Sequence, residues 1–141
     1  MVTVMASGVF DILHTGHISY LEQAKAAGDE LVVVVACDET VRKRKHEPIT
    51  PEAMRLRIIQ SLKPVDRAVL GNSNGDFFST LESIRPDIIM LGYDQTFDEE
   101  DLTEKLRARG YDTKVMRATQ CADDLTGTRR IVKKILETRG N

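Results

Sequence analysis

The chain has no tryptophan, only two cysteines and only three histidines, and aromatic side chains make up 5% of its 141 residues. It also lacks any apolar run of about 18 residues, the length a bilayer-crossing helix requires, so no membrane span is expected. Cys37 and Cys121 lie far apart and show no metal-type spacing, which leaves two free thiols in a reducing compartment as the expectation. A zinc site needs three or four ligands, and beyond His14 and His17 only His46 remains, with no paired cysteines. No charged n-region followed by an apolar stretch and a cleavage site opens the chain, so cytoplasmic residence is expected. The formal net charge of −2 offers no broad field for nucleic acid, and any basic site must be local.

What is present is a rhythm. Short apolar runs rich in β-branched residues recur as VTVM (2–5), LVVVVA (31–36), AVL (68–70), IIML (88–91) and TKVM (113–116). They are continuous rather than alternating, as strands covered on both faces of a parallel sheet should be. Helical patterns fill the gaps. Ile18, Leu21 and Ala24 share a face before Gly28, which can cap the helix. In TPEAMRLRIIQSL, Thr50 is placed to cap, Pro51 opens the helix, and Met54, Ile58 and Leu62 recur every four residues. Residues 77–84 and 102–109 read as two more helices. The string RIVKKILE puts Ile131, Val132, Ile135 and Leu136 on one stripe. Alternating strands and helices predict one α/β domain over 1–141, a Rossmann-like doubly wound five-stranded parallel sheet. Ligands of such folds sit beyond the carboxyl ends of the strands, which directs attention to 7–17, 37–50, 71–76, 92–98 and 117–128.

The first of these segments contains GVFDILHTGH (8–17). Gly8 allows close backbone approach after the strand, and Gly16 relieves crowding at the next helix start. Amides there favour an anion, and His14 and His17 could both donate N–H to the same phosphate. Two ordinary polar histidines remain the alternative. In the second segment, DETVRKRKHEPITPEAMR (38–55), a charge run that is usually a solvated face lies at the ligand edge, where a lysine could reach a polyphosphate. After the fourth strand, Gly92 leaves room for a ligand, and Asp94 and Gln95 can hydrogen-bond a base edge or a ribose. Asp98, Glu99 and Glu100 instead suit a helix opening. Near the end, Thr126, Gly127 and Thr128 offer hydroxyls and amides ahead of a helix, and Arg129 adds a charged donor.

The string GVFDILHTGH resembles the G-x-F-D-x-x-H-x-G-H signature of the nucleotidyltransferase superfamily that includes the cytidylyltransferases. The resemblance implies an HxGH-type Rossmann-like fold and transfer of a nucleotidyl group from a nucleoside triphosphate to a phosphorylated acceptor. It implies catalytic roles for His14, His17 and Lys45, with Lys43 and Arg44 as neighbours of the matched lysine. Nucleotide contacts are implied at Gly8, Val9, Phe10, Asp11, Gly16, Arg55, Gly92, Asp94, Gln95, Thr126, Gly127, Thr128 and Arg129. Gly127 stands where the family carries a hydroxyl residue, and the basic match falls on Arg129 or Arg130. A divalent ion, expected to be magnesium, would accompany the triphosphate, with Asp11 and Asp94 as candidate ligands. Strings such as RPDIIMLGYDQTFDEE and RIVKKILE resemble archaeal FAD synthases, which transfer AMP from ATP to FMN. ATP and FMN are then the expected partners, in a cytoplasmic homodimer. Alternatives are a cytidylyltransferase using CTP and glycerol 3-phosphate or a related alcohol phosphate, a sugar-phosphate adenylyltransferase, and a non-catalytic flavin or ATP binding module.

Overall fold

The computed structural model describes every residue except Lys45, Gly75, Asp124, Thr126 and Asn141. Five parallel strands form one sheet: β1 (Thr3–Gly8), β2 (Glu30–Val35), β3 (Arg67–Leu70), β4 (Ile88–Leu91) and β5 (Lys114–Arg117). Their order is β3-β2-β1-β4-β5. Six helices connect or follow them: α1 (Thr15–Ala26), α2 (Asp38–Arg44), α3 (Glu52–Gln60), α4 (Phe77–Ile84), α5 (Glu99–Ala108) and α6 (Thr128–Arg139). The doubly wound parallel sheet expected from the apolar runs is the architecture observed, because strands with Val4, Leu31, Val33, Val35 and Ile89 essentially inaccessible need cover on both faces.

That cover is divided. One cluster packs Tyr20, Leu21 and Ala24 of α1 and Ile59 of α3 against Val4, Ala6, Val33 and Met90. The other packs Leu81 of α4 and Leu102 and Leu106 of α5 against Met5, Val34, Ile89 and Leu91. The order reverses at β1, which pairs with β2 as far as Gly8↔Val35 but with β4 only as far as Ala6↔Met90. Past Ala6 the pairing of β1 with β4 ends, which marks the switch point, the crevice outside the strand ends where open α/β sheets bind their ligands.

Local details depart from the expected elements. α1 ends at Ala27 with ordinary right-handed geometry. Gly28 serves close packing instead, since a Cβ there would lie 2.7 Å from Val4 Cγ2 and 2.8 Å from the Val2 carbonyl oxygen. The α3 cap is Pro51 rather than Thr50, with no side-chain bond to the helix. Met54 and Ile58 do not line the core: they are 50% and 39% exposed, and Arg55, Leu56, Ile59 and Leu62 form the inward side. The α6 stripe is likewise unburied, with Ile135 51% and Leu136 65% exposed. DETVRKRK contains a short helix, α2, opened by Asp38 and Glu39. The acids of 98–100 act as expected, Asp98 accepting from the Glu100 and Asp101 amides at 2.9 and 3.2 Å.

Candidate active site

The histidine string wraps over the carboxyl end of β1. Phe10 adopts φ 55°, a left-handed conformation costly for a bulky residue, and turns its ring back into the core. A Cβ on Gly8 would lie 2.9 Å from Phe10 Cζ, so the glycine is what lets this ring fold under the loop. The ring then meets His17 edge-on at 5.4 Å. Phe10 is 4% exposed, so its side chain supports the site from beneath and only its main chain remains for a nucleotide.

His14 is the N-cap of α1, and its Nδ1 accepts from the Gly16 amide at 3.1 Å. His17 reciprocates, its Nδ1 accepting from the His14 amide at 3.3 Å. The arrangement is a capping box built from two imidazoles, and the rings stack with centroids 3.8 Å apart. It has a chemical consequence. With both Nδ1 lone pairs engaged by backbone N–H, the neutral tautomer of each ring carries its hydrogen on Nε2. The expectation that the first amides of α1 receive the anion is thereby revised. The Gly16 amide is taken by His14, and the rings carry the donor character of the helix start outward. Burial lowers the His14 pKa, outweighing the opposing pull of the Asp94 carboxylate. The neutral donor form is therefore favoured at neutral pH.

Asp11, Arg55 and Gln95, all expected to touch a nucleotide, have their polar groups engaged within the fold. Asp11 accepts from the Ile49 amide (2.8 Å), the Thr50 amide (2.8 Å) and the Thr50 hydroxyl (2.7 Å). Burial alone would raise its pKa, yet these bonds and the nearby Arg55 charge hold it below the usual value. A carboxylate so used has little left for a metal. Arg55 is completely inaccessible. Its guanidinium donates to the carbonyls of Val9 (2.8 Å), Ala36 (2.7 Å) and Thr50 (3.0 Å) and to Asp38 Oδ1 (2.6 Å). It ties the loops after β1 and β2 to the entry of α3 and stays out of a ligand's reach. The same bonding explains why Thr50 faces the β1 loop instead of capping α3.

Across the crevice, the Gln95 amide donates to the Ser7 carbonyl at 2.9 Å and accepts from the Gly92 amide at 3.1 Å, joining the parted ends of β1 and β4. Tyr20 adds a second stitch, its hydroxyl donating to the Met90 carbonyl at 2.5 Å and accepting from the Ser7 amide at 3.1 Å. Burial pushes its phenol pKa far up. Arg117 was not singled out in the sequence, yet its guanidinium donates to the carbonyls of Gly92 (2.8 Å), Gln95 (2.9 Å) and Phe97 and to Glu99 Oε1 (2.7 Å). Its one legible signal is a basic residue at the carboxyl end of a strand. Asp94, exposed on the loop so clamped, is the carboxylate whose field reaches His14.

The start of α6 closes the remaining side. Thr128 Oγ1 donates to the Ile12 carbonyl at 3.3 Å, a contact spanning 116 positions. Among the described residues no side chain caps α6 at Gly127, which is extended (φ −142°), and Arg129 is exposed. Lys45 and Thr126 lie outside the described residues. Among the described residues no cluster of three or more His, Cys, Asp or Glu could hold a metal. Magnesium takes few protein ligands when phosphates supply the rest, and a single exposed carboxylate such as Asp94 suits an ion delivered with a triphosphate. No described helix is long and apolar enough to cross a membrane.

Two donor imidazoles and the start of α6, gathered at the switch point of a Rossmann-like sheet, define a nucleotidyltransferase. The match to the cytidylyltransferase-like family model runs over residues 5–133, and the chain belongs to that family. It is 56% identical over 138 residues to the FAD synthase of Aciduliprofundum boonei, covering 97% of this chain and 92% of that one. It is 50% identical over 140 residues to the FAD synthase of Thermoplasma acidophilum, covering 99% and 98%. Among solved structures, a crystal structure described as a lipopolysaccharide core biosynthesis protein from Thermoplasma volcanium superposes with a TM-score of 0.83. That pair is 52% identical, with 86% of this chain and 98% of the other covered.

Proposed function

We propose that the protein is an FMN adenylyltransferase that transfers AMP from ATP to the phosphate of FMN, yielding FAD and pyrophosphate. The full-length likeness to FAD synthases supports the substrate pair. One structural observation carries the chemistry, namely the two imidazoles fixed by backbone N–H as Nε2–H donors beside the crevice.

An FMN phosphate oxygen attacks the α-phosphorus of ATP and forms a new P–O bond. The bond from the α-phosphorus to the bridging oxygen breaks on the opposite side, and pyrophosphate leaves with the electron pair. The acceptor is already anionic at neutral pH, so no nucleophilic side chain and no general base are required. The protein must hold two anions together and offset charge as it shifts toward the leaving group. His14 and His17 donate to the phosphates from Nε2. Gly127, Thr128 and Arg129 at the start of α6 receive the leaving pyrophosphate, a role the helix dipole favours. Lys45 supplies a positive charge to the polyphosphate. Arg55 and Asp11 position that loop, and Gln95 and Arg117 position the loop carrying Asp94. Asp94 would hold a magnesium ion accompanying ATP, and such an ion would offset part of the polyphosphate charge. The enzyme is taken to act as a cytoplasmic homodimer.

The test is a matrix of ATP and CTP against FMN, glycerol 3-phosphate and sugar phosphates, read by pyrophosphate release and product mass. FAD formed only from ATP with FMN is the expected outcome. CDP-glycerol or an ADP-sugar in its place would replace this assignment, and binding of ATP or FMN without turnover would reduce the protein to a binding module.

A further inference from the structure

Aromatic side chains are scarce in this chain, yet two large ones stand exposed on the loop that carries Asp94: Tyr93 at 42% and Phe97 at 40%. Their backbone is not loose. The Arg117 guanidinium holds the carbonyls of Gly92, Gln95 and Phe97, and the Gln95 side chain fixes the same loop to Ser7. Behind Phe97 lies Phe77, the first residue of α4, with ring centroids 5.8 Å apart, and Phe77 itself packs against the α4/α5 side of the core. Part of the Phe97 burial has a local reason, since Phe97 and Leu102 occupy the two positions of a hydrophobic staple around the Asp98 cap. That role does not require a ring, and it leaves the exposed face unexplained.

The position of these rings selects their occupant. In-line displacement puts the attacking group and the leaving group on opposite sides of the reacting phosphorus. The leaving pyrophosphate is assigned to the histidines and the start of α6, on the side of α1. The acceptor therefore approaches from the side of α4 and α5, where Phe77 and Phe97 stand. We propose that Tyr93 and Phe97, backed by Phe77, form the seat of the acceptor's flat tricyclic ring, with its phosphate reaching past Asp94 to the α-phosphorus. The inference rests on the FMN assignment above and adds the subsite that recognises it. A loop backbone tied down before the ligand arrives, with the Phe97 ring resting on Phe77, lowers the ordering cost of binding, and stacking needs no matched hydrogen bonds.

The experiment compares Tyr93→Leu and Phe97→Leu with the unmodified protein, using FMN binding by equilibrium dialysis and steady-state kinetics with ATP and FMN varied in turn. Leucine keeps apolar volume and the staple while removing the stacking face. Each variant should weaken FMN binding and raise the KM for FMN by about tenfold, within the range for loss of one stacked aromatic. The KM for ATP should stay within about twofold on the same scale, with the thermal midpoint unchanged. Phe97→Tyr should retain FMN affinity. Unchanged FMN affinity in both leucine variants would overturn the proposal, as would a rise in the KM for ATP alone, which would make the rings an adenine platform. An unmodified protein that makes no FAD would instead count against the parent assignment.

Discussion

Replacing Arg55 separates a loop-tying role from a ligand contact. The guanidinium is wholly buried, and its four bonds reach Val9, Ala36, Thr50 and Asp38. In Arg55→Met the aliphatic volume is roughly kept, but the Asp38 carboxylate loses its partner and three carbonyls lose a donor. Asp38 Oδ1 lies 2.6 Å from the guanidinium, and Asp38 is itself only partly covered, so water can repair some of the loss. Breaking a buried ion pair by removing one partner costs about 3–5 kcal/mol. Against a total stability of about 5–15 kcal/mol, that is a large fraction. For a chain of this size it should lower the thermal midpoint by about 10 °C or more. Arg55→Lys should recover little, because a single ammonium cannot reach four acceptors spread around a planar fork. The assay is urea denaturation followed by far-ultraviolet circular dichroism, alongside the KM for ATP measured well below the melting temperature. If Arg55→Lys kept its stability and raised only the KM for ATP, the reasoning would be refuted and Arg55 would be returned to the nucleotide.

Other outcomes follow from the histidine pair and its supports. His14→Asn keeps an oxygen to accept the Gly16 amide but loses the Nε2 donor, so turnover should fall by ~10²-fold with stability nearly unchanged. His14→Ala should in addition lose about 1 kcal/mol of cap stabilisation, and equal unfolding midpoints for the two variants would contradict the cap. His17→Ala should reduce turnover by ~10²-fold or more, and near-normal turnover would remove it from the site. Burial depresses the His14 pKa while Asp94 raises it, so activity should rise with pH through a value below the usual 6.5 or so. Asp94→Asn should move that acid limb to still lower pH, and an upward shift would reverse the assignment. A Cβ at Gly8 would collide with the Phe10 ring. Gly8→Ala should therefore destabilise by about 1–3 kcal/mol and disturb His17, visible as a shift of its imidazole resonances.

The sheet was legible because burial on two faces imposes an uninterrupted apolar composition, which LVVVVA and IIML display without ambiguity. Helix α4 was legible over its whole length, and α5 except for its first turn, since it begins at Glu99 rather than at 102. The outward turn of Met54 and Ile58 was not, because a fully buried arginine occupies the inner face that a hydrophobicity pattern would leave to apolar residues. Sequence places Arg55, Asp11 and Gln95 near the carboxyl ends of the strands, where the structure has them. It cannot say whether a polar group there faces a substrate or bonds to the loops that shape the site, because that depends on where chain segments 38 or more positions away return. Arg117 escaped notice for the same reason: its partners are main-chain carbonyls, which every residue has. The histidine motif stood out as a string, but its mutual capping is a matter of χ angles.

The locked rings also bear on what the solvent can do to this catalyst. Each Nδ1 lone pair is held by a backbone N–H, so a ring gains a proton only by giving up its cap bond, and neither serves as a relay during the reaction. Turnover limited by the chemical step should then run at nearly the same speed in heavy water as in light, and added buffer species should not accelerate it.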